Sequence, residues 1–204
     1  VDSDPQGSSR DWAAVNEENP VPVVGIDRPT IERDLKRIAE KDYVIIDGAP
    51  QAADLAISAI KASDIIIIPV QPSPYDIWAT SDLVDLVKQR IEMTDGKLKA
   101  AFVVSRTIKG TKIGKEISVA LSDYGLPVLE TSITQRVIYP TSAAMGSSVL
   151  DEEPTGEASK EINNLINNYE PIKNQRKVTF IYAVSDDVFK ESERAKFFDF
   201  IIPV

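Results

Sequence analysis

Three aspartates stand where carboxylate chemistry is possible. Asp47 closes Lys41–Pro50, KDYVIIDGAP, in which the apolar run Tyr43-Val44-Ile45-Ile46 ends in an acid and then a Gly-Ala-Pro turn. Four consecutive apolar residues with β-branched members suit a strand buried on both faces of a parallel sheet. A carboxylate at the carboxyl end of such a strand lies at the rim where open α/β sheets bind their ligands. If the ligand is a nucleotide, that acid can hold Mg²⁺ directly or through a water. The plainer alternative is an Asp that caps a strand in a turn. Asp2 and Asp4 bracket Ser3 in VDSDPQGSS; Pro5 closes a turn and Gly7 permits a positive φ. Two carboxylates this close orient a water or bind a metal's water shell, or else form an acidic, solvated turn.

The rest of the composition narrows the chemistry. The 204 residues contain no cysteine and no histidine. Disulfides, thiolate sites, histidine triads and imidazole zinc sites are therefore excluded, leaving carboxylates, Lys/Arg, hydroxyls and backbone. A formal net charge of −9 disfavours nonspecific nucleic-acid binding by the whole surface, though a local basic face is compatible with it. No apolar run approaches the roughly 18–20 residues of a membrane span. No signal peptide is visible, so the cytoplasm is expected.

The elements that must position these acids follow from periodicity. Asp11–Glu18 reads as a short helix anchored by Trp12, and Val21–Gly25 as an edge strand restricted by Pro20 and Pro22. A helix near Pro29 runs to about Glu40, with Ile31, Leu35 and Ile38 on one face. After the Asp47 strand come a helix at Ala52–Ala62 and a strand without a polar face, Ile65–Val70. The proline-stiffened loop Gln71-Pro72-Ser73-Pro74-Tyr75-Asp76 follows. A long helix at Ile77–Met93, a strand at Ala100–Ser105, a helix at Thr111–Tyr124 and a strand starting at Val128-Leu129 continue the alternation. This pattern predicts an α/β fold with a doubly wound, mainly parallel sheet flanked by helices. A loop or short-helix segment leads to a helix at Glu157–Tyr169. From Pro171 the character changes to a linker and a buried strand at Val178–Val184, then Ser185-Asp186-Asp187. Four of the six phenylalanines crowd the last sixteen residues. The expected division is 1–170 and a separate tail, 171–204. Val1 reads as the last residue of a strand, as though the chain were entered in mid-fold.

The order VDSDPQGSS, DYVIIDGAP, PVQPSPYD, FVVSR and ETSITQRVIYPTSAAMGSSV resembles the ParA/MinD family of deviant-Walker ATPases, most of all the small plasmid-partition ParA proteins. The resemblance spans Val1–Glu170 and rests on five collinear motifs. It implies ATP and Mg²⁺ as cofactors, an ATP-dependent homodimer, nonspecific DNA binding on the nucleoid, and hydrolysis stimulated by a centromere-binding ParB-type adaptor. By that resemblance Asp4 positions the attacking water, Asp2 is its companion near Mg²⁺, and Asp47 is the Walker B acid. Gln71, Pro72 and Ser73 line the adenine, with Arg106 near the base. Arg136 reaches DNA, and Lys109, Lys112 and Lys115 extend that face or are simply solvated lysines. The family opens with a strand and a KGGxGKT phosphate loop, and no such loop occurs in these residues; Gly110-Thr111-Lys112 is no substitute. Weak ATP binding, negligible hydrolysis and a gap in the middle of the sheet are the expected consequences.

Two alternatives stay open: a non-enzymatic binding or regulatory module of this fold, and a chimeric chain without a function of its own. A membrane-positioning role of the MinD type would want a basic amphipathic C-terminal helix, whereas Glu157–Tyr169 has Lys160 as its only basic residue. The tail Arg176–Val204 is similar to an internal strand of large YobI-like P-loop NTPases, as if a truncated partition gene continued into another reading frame.

Overall fold

Ile65–Val70 has no polar face because both of its faces are covered. In the computed structural model, which describes residues 1–18, 21–38, 43–48, 53–111, 113–168 and 177–182, all six of its residues are buried. The strands are β1 (Tyr43–Gly48), β2 (Ile65–Val70), β3 (Lys99–Val104) and β4 (Lys177–Tyr182), in spatial order β1-β4-β2-β3. Every pairing is parallel. Alternate residues of β2 serve two cores. Ile66, Ile68 and Val70 pack with Phe102 under α3 (Ala53–Ala62), α5 (Ser81–Met93) and α6 (Ile113–Ser122). Ile65 and Ile67 pack with Ala101, Val103 and Tyr139 beneath α9 (Glu157–Asn168), through Ile162 and Leu165. The period of two along the strand thus becomes two layers of helix on one sheet. Each fully buried Ile contributes about 1.5–3 kcal/mol relative to exposure.

The gap expected in the sheet is closed by β4. It pairs with β1 from Tyr43↔Lys177 to Gly48↔Tyr182, and with β2 from Ile65↔Thr179 to Ile67↔Ile181. The strand expected at Val178–Val184 therefore lies inside the main sheet; the remainder of the tail is outside the described residues.

Other departures have local causes. The helix expected at Ile77–Met93 starts earlier and breaks into α4 (Pro74–Ala79) and α5 at Thr80. The fully buried Thr80 hydroxyl donates to Ile77 O at 2.6 Å, capping α4, while Thr80 O accepts from Val84 N and begins α5. The helix expected up to Glu40 appears as α2 (Ile31–Leu35), which tightens into turns as Arg37 N and Ile38 N bond three residues back. Val21–Gly25 and Val128-Leu129 reduce to single bridges, Gly25 with Asp2 and Val128 with Phe102.

The start of the chain is tied to a segment 135 residues further on. In α1 (Ser8–Val15), Trp12 is buried and its indole N–H donates to Ser147 O at 3.2 Å, just after α7 (Ile138–Ala144). Gly146 has φ 63°, and a Cβ there would lie 2.8 Å from Trp12 O. Gly146→Ala is expected to destabilise the protein by on the order of 2 kcal/mol, from backbone strain plus steric contact. Urea unfolding measures it, and an unchanged midpoint would mean that this contact is not made in solution.

Candidate functional site: an acidic rim at the carboxyl end of the sheet

The backbone brings the three aspartates together. Val1–Ser3 runs parallel to β1: Asp47 N donates to Val1 O at 2.8 Å and Ser3 N to Asp47 O at 3.0 Å. On its other side Asp2 bridges Gly25. Asp2 and Asp47 are thereby bridge partners on neighbouring segments, and the turn that follows Asp2 carries Asp4. That turn is an Asx type, since Asp2 Oδ1 accepts from Asp4 N at 3.1 Å and Asp4 Oδ1 from Gln6 N at 2.9 Å. Gly7 then takes φ 75° as the N-cap of α1.

The first turn of α1 supplies two partners that the sequence analysis did not single out. Ser9 Oγ donates to Asp47 Oδ2 at 2.8 Å. Arg10 donates to Asp2 Oδ2 twice, through its backbone N at 3.1 Å and its Nε at 3.2 Å, and its Nη2 reaches Asp4 O at 3.3 Å. The Asp2 side chain is fully buried, so Arg10 supplies its compensating charge. Two glycines make room for the guanidinium: a Cβ on Gly7 would come within 2.8 Å of Arg10 Nη2, and one on Gly25 within 3.0 Å of Nη1. The available signal was Ser-Ser-Arg opening a helix directly after Gly7, which puts a hydroxyl and a cation beside the acidic turn.

Asp47 has a different environment. Burial pushes its carboxyl up to about 7; the Ser9 hydrogen bond opposes this, and the charges of Asp2 and Asp4 add to it.

The second cluster lies across the rim. Gln71 follows β2, and Arg106 sits beyond Ser105 at the end of β3; Arg106 Nη1 donates to Gln71 Oε1 at 3.3 Å. Arg106 holds φ 56°, a left-handed conformation uncommon outside glycine. Gln71, Pro72, Ser73 and Arg106 are all half-buried, and Ser73 is the N-cap of α4. The buried hydroxyl of Ser105 has no hydrogen-bond partner among the described residues. Strand β4 stands between this pair and the acidic cluster.

The basic residues lie elsewhere. Arg136 Nη2 is 2.6 Å from Glu161 Oε1, and Glu161 also accepts from Thr134 N and Oγ1. Glu161 thus fastens the 134–136 loop to α9, and the Arg136 side chain is 24% exposed. Lys160, Lys109 and Arg136 all hold the Glu157 carboxyl below its ordinary range, with Lys160 dominant through a hydrogen bond. Lys109 and Arg136 therefore share one surface, in which Glu157 and Glu161 are interleaved. Lys112 is outside the described residues, as is the Lys115 side chain.

This arrangement fits Mg²⁺ and a triphosphate poorly. Both Asp2 oxygens are engaged, and among the described residues no group of three or more acids is placed to hold a metal ion. The space beside Gly7 is filled by the Arg10 guanidinium.

A parallel sheet with helices on both faces and its acids at the carboxyl rim defines an α/β protein of the P-loop NTPase-like class. A family model described as an AAA domain matches residues 2–100, and one described as a YobI-like P-loop NTPase matches residues 157–204. Maintenance of carboxysome distribution protein A of Halothiobacillus neapolitanus is 33% identical over 178 residues, covering 84% of this chain and 82% of that protein. Sporulation initiation inhibitor protein Soj of Bacillus subtilis is 30% identical over 138 residues, covering 62% of this chain and 53% of Soj. The chain belongs to the ParA/MinD family of ATPases. Over 55 residues it is also 51% identical to the uncharacterized membrane protein YobI of Bacillus subtilis, which covers 24% of this chain and 4% of YobI. No helix among the described residues is long and apolar enough to cross a membrane.

Proposed function

We propose that this chain derives from a positioning ATPase of the ParA type, which partitions a DNA or protein cargo by ATP-dependent self-association and nonspecific DNA binding. A cargo-bound adaptor, ParB-like where the cargo is a plasmid, stimulates hydrolysis and release. The observation that carries the reading is the convergence of Asp2, Asp4 and Asp47 on one rim, in a chain of this family. By the family resemblance Asp47 would hold the metal, Asp4 would orient water, and Gln71 with Arg106 would face the base. Asp2 is held by Arg10 and would be available to a metal only without that pair.

A specific observation favours a second reading. With Asp2 neutralised internally and no phosphate cradle in these residues, the same fold works as a binding module that does not turn ATP over. Titration calorimetry with Mg-ATP separates the two. Saturable binding that Asp47→Asn weakens at least tenfold supports the ATPase reading. Binding unchanged by Asp47→Asn, or none at millimolar ATP, supports the module.

DNA binding has its own test. Arg136→Ala is expected to weaken binding to mixed-sequence duplex and to reduce the log–log salt slope by roughly 0.9, the signature of one lost phosphate contact. Glu161→Gln, which loosens the partner of Arg136 but keeps the cation, is expected to leave that slope intact. If Arg136→Ala leaves affinity and slope unchanged, Arg136 is a structural residue of the 134–136 loop only.

A further inference from the structure

The least ordinary feature of the fold is the origin of its inner strand. β1 and β2 follow each other in the chain with only α3 between them, yet they are not neighbours in the sheet; β4, from beyond α9, lies between them. We propose that the interval between β1 and β2 is a strand-acceptor site, occupied here by Lys177–Tyr182 and able to take the same segment supplied in trans.

Three observations carry this. The interval is a backbone site: six residues of β1 and three of β2 are in parallel register with β4, so the ladder bonds of both flanks depend on an occupant. β2 is buried along its whole length, and an unpaired edge there would strand peptide groups away from water. The occupant also belongs to a stretch, residues 157–204, that matches a different family model from residues 2–100, which supply β1, β2 and the first two residues of β3. A segment of separate kinship fits because parallel pairing reads backbone geometry. The remaining demand, for β-branched and aromatic residues without proline, is met by Lys-Val-Thr-Phe-Ile-Tyr. The site requires no nucleotide and stands whether or not the chain is an ATPase.

The test compares the full chain with its Phe180→Pro variant. Phe180 pairs with Ile46 on one side and Ile66 on the other. Proline there removes a ladder N–H and fits the middle of a sheet badly. The variant is expected to melt about 6–12 °C below the parent. A fluorescein-labelled peptide with the sequence of Lys177–Tyr182, flanked by lysines for solubility, is expected to bind the variant at least tenfold more tightly than the parent and to restore part of the lost melting temperature. The same peptide with proline at the Phe180 position is the control. An unchanged melting temperature would overturn the proposal, and so would a destabilised variant that does not bind the peptide. If the variant does not fold, hydrogen exchange on the parent decides. Amides of Val178–Tyr182 as protected as those of Ala101–Val104 support the proposal, and exchange at unstructured rates overturns it.

Discussion

Asp47→Asn is expected to raise the melting temperature at pH 8 and to flatten the pH dependence of stability between about pH 4 and 7. The carboxyl is pushed up to about 7 in the folded chain, chiefly by burial, against an ordinary value of 3.8. Across that window the unfolded state has released the proton and the folded state retains it. The unfolded state therefore binds fewer protons, and stability falls as pH rises. The contribution is fully present below the unfolded value and lost once pH passes the folded one. At 1.36 kcal/mol per unit, the whole shift is worth at most about 4 kcal/mol. Asparagine removes the titration while keeping an acceptor for the Ser9 hydroxyl. Parent and variant melted at pH 5 and pH 8 provide the comparison; parallel slopes would mean that Asp47 is well solvated and ionises normally.

Arg10→Met should have an effect of similar size by the opposite route. Asp2 is completely buried and Arg10 is 40% exposed at the side chain. Methionine keeps much of the aliphatic stem and removes the charge, leaving a buried carboxylate with backbone donors alone. Removing one partner of a buried pair costs about 3–5 kcal/mol. The exposure of Arg10 lets water compensate in part, so about 2–3 kcal/mol is expected here. Adding Asp2→Asn should recover a substantial part of the loss, because the stranded charge goes with it. Urea unfolding of the two single variants and the double variant closes the cycle. A single Arg10→Met variant within about 0.5 kcal/mol of the parent would show that the pair does not hold the turn.

These effects bear on function because they act at one corner of the sheet. Arg10 neutralises Asp2 and fills the space beside Gly7, while Asp47 remains a carboxyl of high proton affinity. Any cation at this rim would have to compete with Arg10 for Asp2 and with a proton for Asp47.

The amino-acid sequence by itself determined the layered α/β architecture. Unbroken apolar runs such as Ile65–Val70 suit only strands covered on both sides, and amphipathic helices between them supply the cover. It also placed Asp47 at the rim, because a polar residue near the carboxyl end of a buried strand reaches that edge of the sheet; Asp2 and Asp4 join it only through the pairing of Val1–Ser3 with β1. Ser9 and Arg10 were less legible, since their roles depend on α1 folding back over Val1–Ser3. The engagement of Arg136 by Glu161 is a contact across 25 residues that no local pattern encodes. The break at Thr80 turned on one buried hydroxyl taking a backbone carbonyl. Only the tertiary structure decided what lies between β1 and β2. A β-branched and aromatic run such as Lys177–Tyr182 announces a strand, but ladder bonds come from backbone groups common to every residue, so its place follows from which edge is left open.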